Sequence, residues 1–199
     1  MSASRLLLLP PPQRLLVCAV GAVATHITLS AISVIIPALN NLQPPPPPPP
    51  PSEALPPSKT SALVSQLYSG SPSFSPLSLS PACTFHDPVA LCVGRAEVSE
   101  CFRALRVACA PEHLSEPVPF HRSEDPPAPE GGRAEFFYLN QRYFGFLSVA
   151  SVLRVDTGPD GLVTAIEERW NGRPLLPLSW CRRVNGVASC LLTPIVARE

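Results

Sequence analysis

Three side chains have the type and setting to move a proton: His86 and Asp87, adjacent in TFHDPVALCVG, and Glu168, in LVTAIEERW. Successive side chains of a strand point to opposite faces. In a strand His86 therefore points away from Asp87. Glu168 shares its face with Leu162, Thr164, Ile166 and Trp170, while Val163, Ala165, Glu167 and Arg169 take the other. A carboxylate among apolar neighbours is desolvated, which raises its pKa toward the range useful for proton transfer. Each residue also has a plainer role. An Asp before Pro hydrogen-bonds neighbouring amides and builds a turn. A lone histidine can sit half-buried, Arg169 offers Glu168 an ion pair at the surface, and Trp170 can simply pack. Both sets of roles stay open at this level.

Other chemistries are excluded more firmly. The seven cysteines contain no C-x-x-C pair and no histidine stands at ligand spacing from them, so neither a metal site nor any cofactor is expected. Six of them, Cys83 to Cys190, fall in the folded part and read as small buried hydrophobes, with a disulfide framework as the alternative. The G-x-S-x-G elbow and the glycine-rich phosphate loops are absent. Fifteen basic and fifteen acidic residues cancel, and only Arg182 and Arg183 cluster, so no nucleic-acid partner is expected.

The elements that must position these residues occupy only part of the chain. Residues 1–14 form a short amino-terminal segment. Leu15 to Leu39 carries no charge; as a helix it is about 37 Å long, enough for a hydrocarbon core of about 30 Å. With Arg5 and Arg14 ahead of it and no acid before Glu53, residues 15–40 are expected to be a single-pass membrane anchor with the amino terminus in the cytosol. A secretory signal and an organelle transit peptide are the alternatives. The linker, 41–57, contains eight consecutive prolines, Pro44 to Pro51. They impose a polyproline II rod about 25 Å long, a spacer or a docking site for a proline-binding partner.

Residues 58–199 read as one α+β domain. Ser58 to Gly70 is a short helix with Leu63, Val64, Leu67 and Tyr68 at helical spacing, followed by a Ser/Pro loop over 71–80. Val98, Cys101, Phe102, Leu105 and Cys109 form the apolar stripe of a second helix. Glu97 and Glu100 lie near its start and Arg103 and Arg106 near its end, matching the helix dipole. His113 to Gly132 is expected to be a surface loop. Glu135 to Phe144 and Leu147 to Asp156 alternate as strands. Asp160-Gly161 then turns the chain into the strand Leu162 to Trp170. The tail from Leu175 to Val196 is expected to be partly helical and to pack across the sheet.

This order, with two segments in particular, resembles the nuclear transport factor 2-like superfamily, which includes SnoaL-like and ketosteroid isomerase-like domains. TFHDPVALCVGRAEVSECF is similar to its Asp-Pro…Gly…Phe signature, and FLSVASVLRVDTGPDGLVTAIEERWNGRPL resembles its last hairpin. The resemblance spans about residues 58–195. It implies a cone-shaped curved antiparallel sheet packed with helices, enclosing a pocket. It also places Asp87 at the position of the isomerase general base and Tyr68 and Ser151 where oxyanion donors stand, although Ser151 replaces an acid there. Glu168 replaces the aspartate of the family's Asp-Arg-Trp motif. The candidate catalytic set is Asp87, His86 and Glu168, with Tyr68, Phe102, Tyr143, Ser151 and Trp170 as candidate lining for a small apolar ligand.

Three function classes follow: a non-catalytic binding or interaction module, with a homodimer through the sheet as one form; an isomerase, cyclase or dehydratase using Asp87; and a membrane-tethered adaptor working through its prolines. The first is the expectation taken forward.

Overall fold

The computed structural model describes residues 58–69, 75–109, 111–120, 130–143, 147–171 and 179–196, all within one compact unit, Gln43–Glu199. The expected anchor and proline rod lie outside the described residues. Among those described, no helix is long and apolar enough to cross a membrane.

The domain is α+β. Helix α1 (Lys59–Ser69) precedes a 3-10 turn (Pro76–Ser78), β1 (Leu79–His86), β2 (Leu91–Val93) and α2 (Arg95–Cys109). Then come β3 (Glu112–His113), β4 (Val118–Phe120), β5 (Arg133–Tyr143), β6 (Leu147–Thr157), β7 (Val163–Trp170) and α3 (Ser179–Val196). The seven described strands make one mixed sheet in the order β2-β1-β7-β6-β5-β3, with β4 also on β5. The β1–β7 pair is parallel and the rest are antiparallel, so the sheet is mixed and not the wholly antiparallel one expected.

Helix α1 begins where two serines cap each other. The Ser58 amide donates to Ser61 Oγ at 2.9 Å and the Ser61 amide to Ser58 Oγ at 3.2 Å, which satisfies donors that a helix start leaves free. Ser58 Oγ also donates to Glu135 at 2.6 Å, tying the cap to β5. Val64, Leu67 and Tyr68, at i, i+3 and i+4, are buried against the sheet. Helix α2 contributes Val98 and Phe102; the Phe102 ring lies 5.1 Å from that of Tyr68 and 4.8 Å from that of Phe85. These side chains close on Phe137, Leu139, Leu153, Val155 and Ile166 of the long strands, which together form the inner face and core.

Three expectations need correction. The segment from His113 to Gly132 is not all loop, because β3 and β4 both pair with β5. Such short strands show no alternation of their own; the partner's free edge supplies their hydrogen bonds. In β7 the inward residue near the turn is Val163, 2% exposed, not Leu162. A register shift between Asp156 and Thr157 places Thr164 as an extra residue and reverses the local alternation. Finally, α3 packs on α2 and β2. At Gly186 an added Cβ would collide with the carbonyl of Leu91, so only glycine lets the helix come this close. Arg183 of α3 grips Glu97 of α2 through two bonds, 2.6 and 2.8 Å. Trp180, Val184, Val187 and Leu191 lie exposed along α3.

Candidate functional site

Strand pairing brings Ser151 opposite Trp170 and Leu153 opposite Glu168, so all four side chains share the inner face. Glu168 is 2% exposed and its carboxylate is the centre of a buried network. Tyr68 of α1 donates to Oε2 at 2.7 Å. Ser151 donates to Oε1 at 2.6 Å, and the Trp170 indole donates to the same oxygen at 3.1 Å. Burial pushes the Glu168 pKa up, opposed by these three donors. The Tyr68 phenol is held well above its ordinary value, first by burial and then by the Glu168 charge.

Asp87 follows β1, past the inward-facing Phe85. Its Oδ1 accepts from the amides of Val89 and, in a very short bond, Ala90, the turn expected of Asp before Pro. No described residue donates a hydrogen bond to its Oδ2. The residue is half-buried. Loss of solvation and the nearby Glu168 charge push its carboxyl up to about 7, against the pull of the two amides and Arg182. Helix α3 holds this turn from behind. Arg182 donates to the carbonyl of Asp87 at 3.3 Å, and Asn185 to that of Val89 at 2.8 Å.

The turn therefore occupies one oxygen of Asp87 and leaves the other over. Two carboxyls facing one interior resist being ionised together. With its carboxyl pushed up to about 7, Asp87 has the acidity to exchange a proton near neutral pH. The same geometry limits it. Tyr68, Ser151 and Trp170 all give hydrogen bonds to Glu168, so their protons point at a carboxylate of the protein rather than at a substrate oxygen.

Tyr143 also lies on the inner face. Its ring is stacked with Trp170 at 6.3 Å, and its hydroxyl donates to Gln141 Oε1 at 2.6 Å. Phe102 is buried between the Tyr68 and Phe85 rings. His86 is not brought to this cluster: it pairs with Glu167 on the opposite face, and burial, then Arg182, lowers its pKa. Arg169 pairs with Glu167 at 2.6 Å, leaving Glu168 inside.

Sequence reading missed Gln141 and His113. Gln141 is completely buried, and among the described residues its Nε2 has no hydrogen-bond partner; neither has either nitrogen of His113. The signal for Gln141 was its inward register with Phe137, Leu139 and Tyr143, an isolated polar residue on an apolar strand face. His113 gave none, because its segment lacks strand alternation. Cys83 and Cys92 are buried, and these two, Cys101 and Cys190 form no disulfide among the described residues. Among the described residues no group of His, Cys, Asp and Glu could hold a metal. Compared with models of known protein families and with curated proteins, the chain matches none.

Proposed function

We propose that residues 58–199 form a nuclear transport factor 2-like domain that binds a small, largely apolar molecule between its helices and the inner face of its sheet. The supporting observation is the polar character of that face, where two carboxyls with raised pKa values stand among aromatic side chains. Buried ionisable groups cost stability, and such arrangements concentrate at functional sites. Residues 15–39 would tether the domain to a membrane, with the proline run as spacer, and carbonate extraction of the full chain tests the tether. Pairing of two copies through the sheet belongs to the same proposal and is tested by sedimentation.

Ligand-observed NMR with a library of small aromatic fragments tests the binding reading. Fragments that bind the full-length protein should be displaced when Ser151→Phe fills the interior, provided that the variant still unfolds cooperatively. Binding unchanged in a folded Ser151→Phe protein would refute a site on the inner face.

A catalytic reading is favoured by one observation, the Asp87 carboxyl poised at about 7 with Oδ2 unbonded among the described residues. As a general base it would take a proton from the carbon beside a carbonyl. Because the nearby donors serve Glu168, stabilisation of the resulting enolate would be weak. The test is deuterium exchange beside the carbonyl of a bound ketone. A fall of about 100-fold in Asp87→Asn is the scale expected for loss of a base; equal rates would leave binding alone.

A further inference from the structure

His113 and Gln141 are directly paired across β3 and β5. Paired residues place their side chains on the same face, with Cβ atoms about 4.5–5.5 Å apart. For this pair it is the inner face, because Leu139, two residues before Gln141, lies in the core cluster. Helix α1 runs over β3 and its Ser65 reaches Glu116 at 3.5 Å. The imidazole and the carboxamide are thus enclosed together, with three nitrogens unpartnered among the described residues. Orphaned buried polar atoms are few in folded proteins and each calls for a physical explanation.

Tyr143 donates to Gln141 Oε1, which leaves the NH2 group free to give two hydrogen bonds. A neutral imidazole adds one N–H donor and one bare acceptor. Two donors from adjacent strands can converge on a single oxygen. Next to them the stacked Tyr143 and Trp170 rings supply a planar apolar wall.

We propose that the His113–Gln141 pair is the polar subsite of the pocket, receiving the carbonyl or carboxylate oxygen of an aromatic small molecule whose ring lies by Tyr143 and Trp170. The inference rests on the binding reading above and says which part of a ligand goes where. It also separates recognition from the proton chemistry, since this end of the face lies on β3 and β5 and Asp87 follows β1.

Three probes of nearly equal size test it on the full chain: phenylacetone, phenylacetate and propylbenzene. Binding is followed through the NMR signals of the Gln141 side-chain amide and the Trp170 indole. The two oxygenated probes, or one of them, should bind at least about 10-fold more tightly than propylbenzene, the usual scale for a satisfied buried donor. Preference for phenylacetone assigns a neutral carbonyl, and preference for phenylacetate an anion. In Gln141→Leu the preference should vanish while propylbenzene affinity is kept, and His113→Leu should reduce it. Cooperative unfolding confirms that each variant is folded. If all three probes bind wild type equally, the subsite is wrong and the pocket stands, the orphaned nitrogens being served by water. If none binds, both ideas fall. A preference that survives in both folded variants would also overturn the assignment.

Discussion

At Glu168 three neutral donors converge on one carboxylate, whereas at Gln141 and His113, two and three strands away, three nitrogens have no partner among the described residues. Both groups lie under helix α1 and share a sheet face. The first has every partner within the chain, drawn from α1, β6 and β7, and so acts as a clasp between helix and sheet. The second is left incomplete by its own fold. A polar side chain thus persists in an apolar interior for two different reasons, internal satisfaction or satisfaction from outside, and the hydrogen-bond inventory separates them.

The greatest effect is expected at the clasp. Glu168→Ala strands the hydroxyls of Tyr68 and Ser151 and the Trp170 indole, at about 1–3 kcal/mol for each donor that cannot relax. Losing the carboxylate's own desolvation offsets part of that, so urea denaturation should show a net loss of about 3 kcal/mol. A loss below about 1 kcal/mol would mean that the donors find other partners and the clasp is not structural.

Next comes the pH dependence. The folded Asp87 carboxyl titrates at about 7 against an ordinary value of 3.8. An acid whose pKa is raised by folding contributes stability that is full below the unfolded value and lost as pH rises through the folded one. Between about pH 4 and 7 the protein should therefore lose stability, by at most about 4 kcal/mol from this group and less to the extent that solvent reaches it. Glu168, also raised, acts in the same direction. Glu97 acts oppositely, because Arg183 lowers its pKa, so its contribution disappears only at more acidic pH. Unfolding midpoints at pH 4.5 and 7.5 should differ less in Asp87→Asn than in wild type. Equal differences would show that Asp87 is not the titrating group.

The incomplete end should respond in the opposite sense. His113→Leu removes two buried nitrogens without partners, so thermal unfolding should show a change between zero and a gain of about 1 kcal/mol. A clear loss would indicate that ordered water already satisfies the imidazole, making this end as complete as the other.

The parts of this fold legible in sequence are those with local periodicity. The stripe through Val98 and Phe102, the alternation in β5 and β6, and the Asp160-Gly161 turn each announce themselves within a dozen residues. Tyr68, Ser151 and Glu168 were singled out separately, but their convergence depends on contacts up to 100 residues apart in sequence. The strands β3 and β4 were illegible because their pairing partner, not their composition, makes them strands. For the same reason His113 looked like a loop residue. The bulge at Thr164 likewise follows from fitting β7 between two neighbours, which no pattern within β7 records.

The turn beneath Asp87 has a consequence for how its acidity is set. Asn185 donates to the carbonyl of Val89, and the amide of Ala90 donates to Asp87 Oδ1. That carbonyl and that amide belong to one peptide unit, whose resonance links its two ends. Pulling electron density toward the oxygen leaves the N–H more acidic and a stronger donor, an inductive relay one peptide long. Hydrogen bonds coupled in series strengthen by about 10–30% each. Asn185 should therefore lower the Asp87 pKa without touching the carboxylate. Asn185→Ala should raise that pKa by about a few tenths of a unit in a carboxyl NMR titration. An unchanged value would mean that the peptide between them transmits nothing.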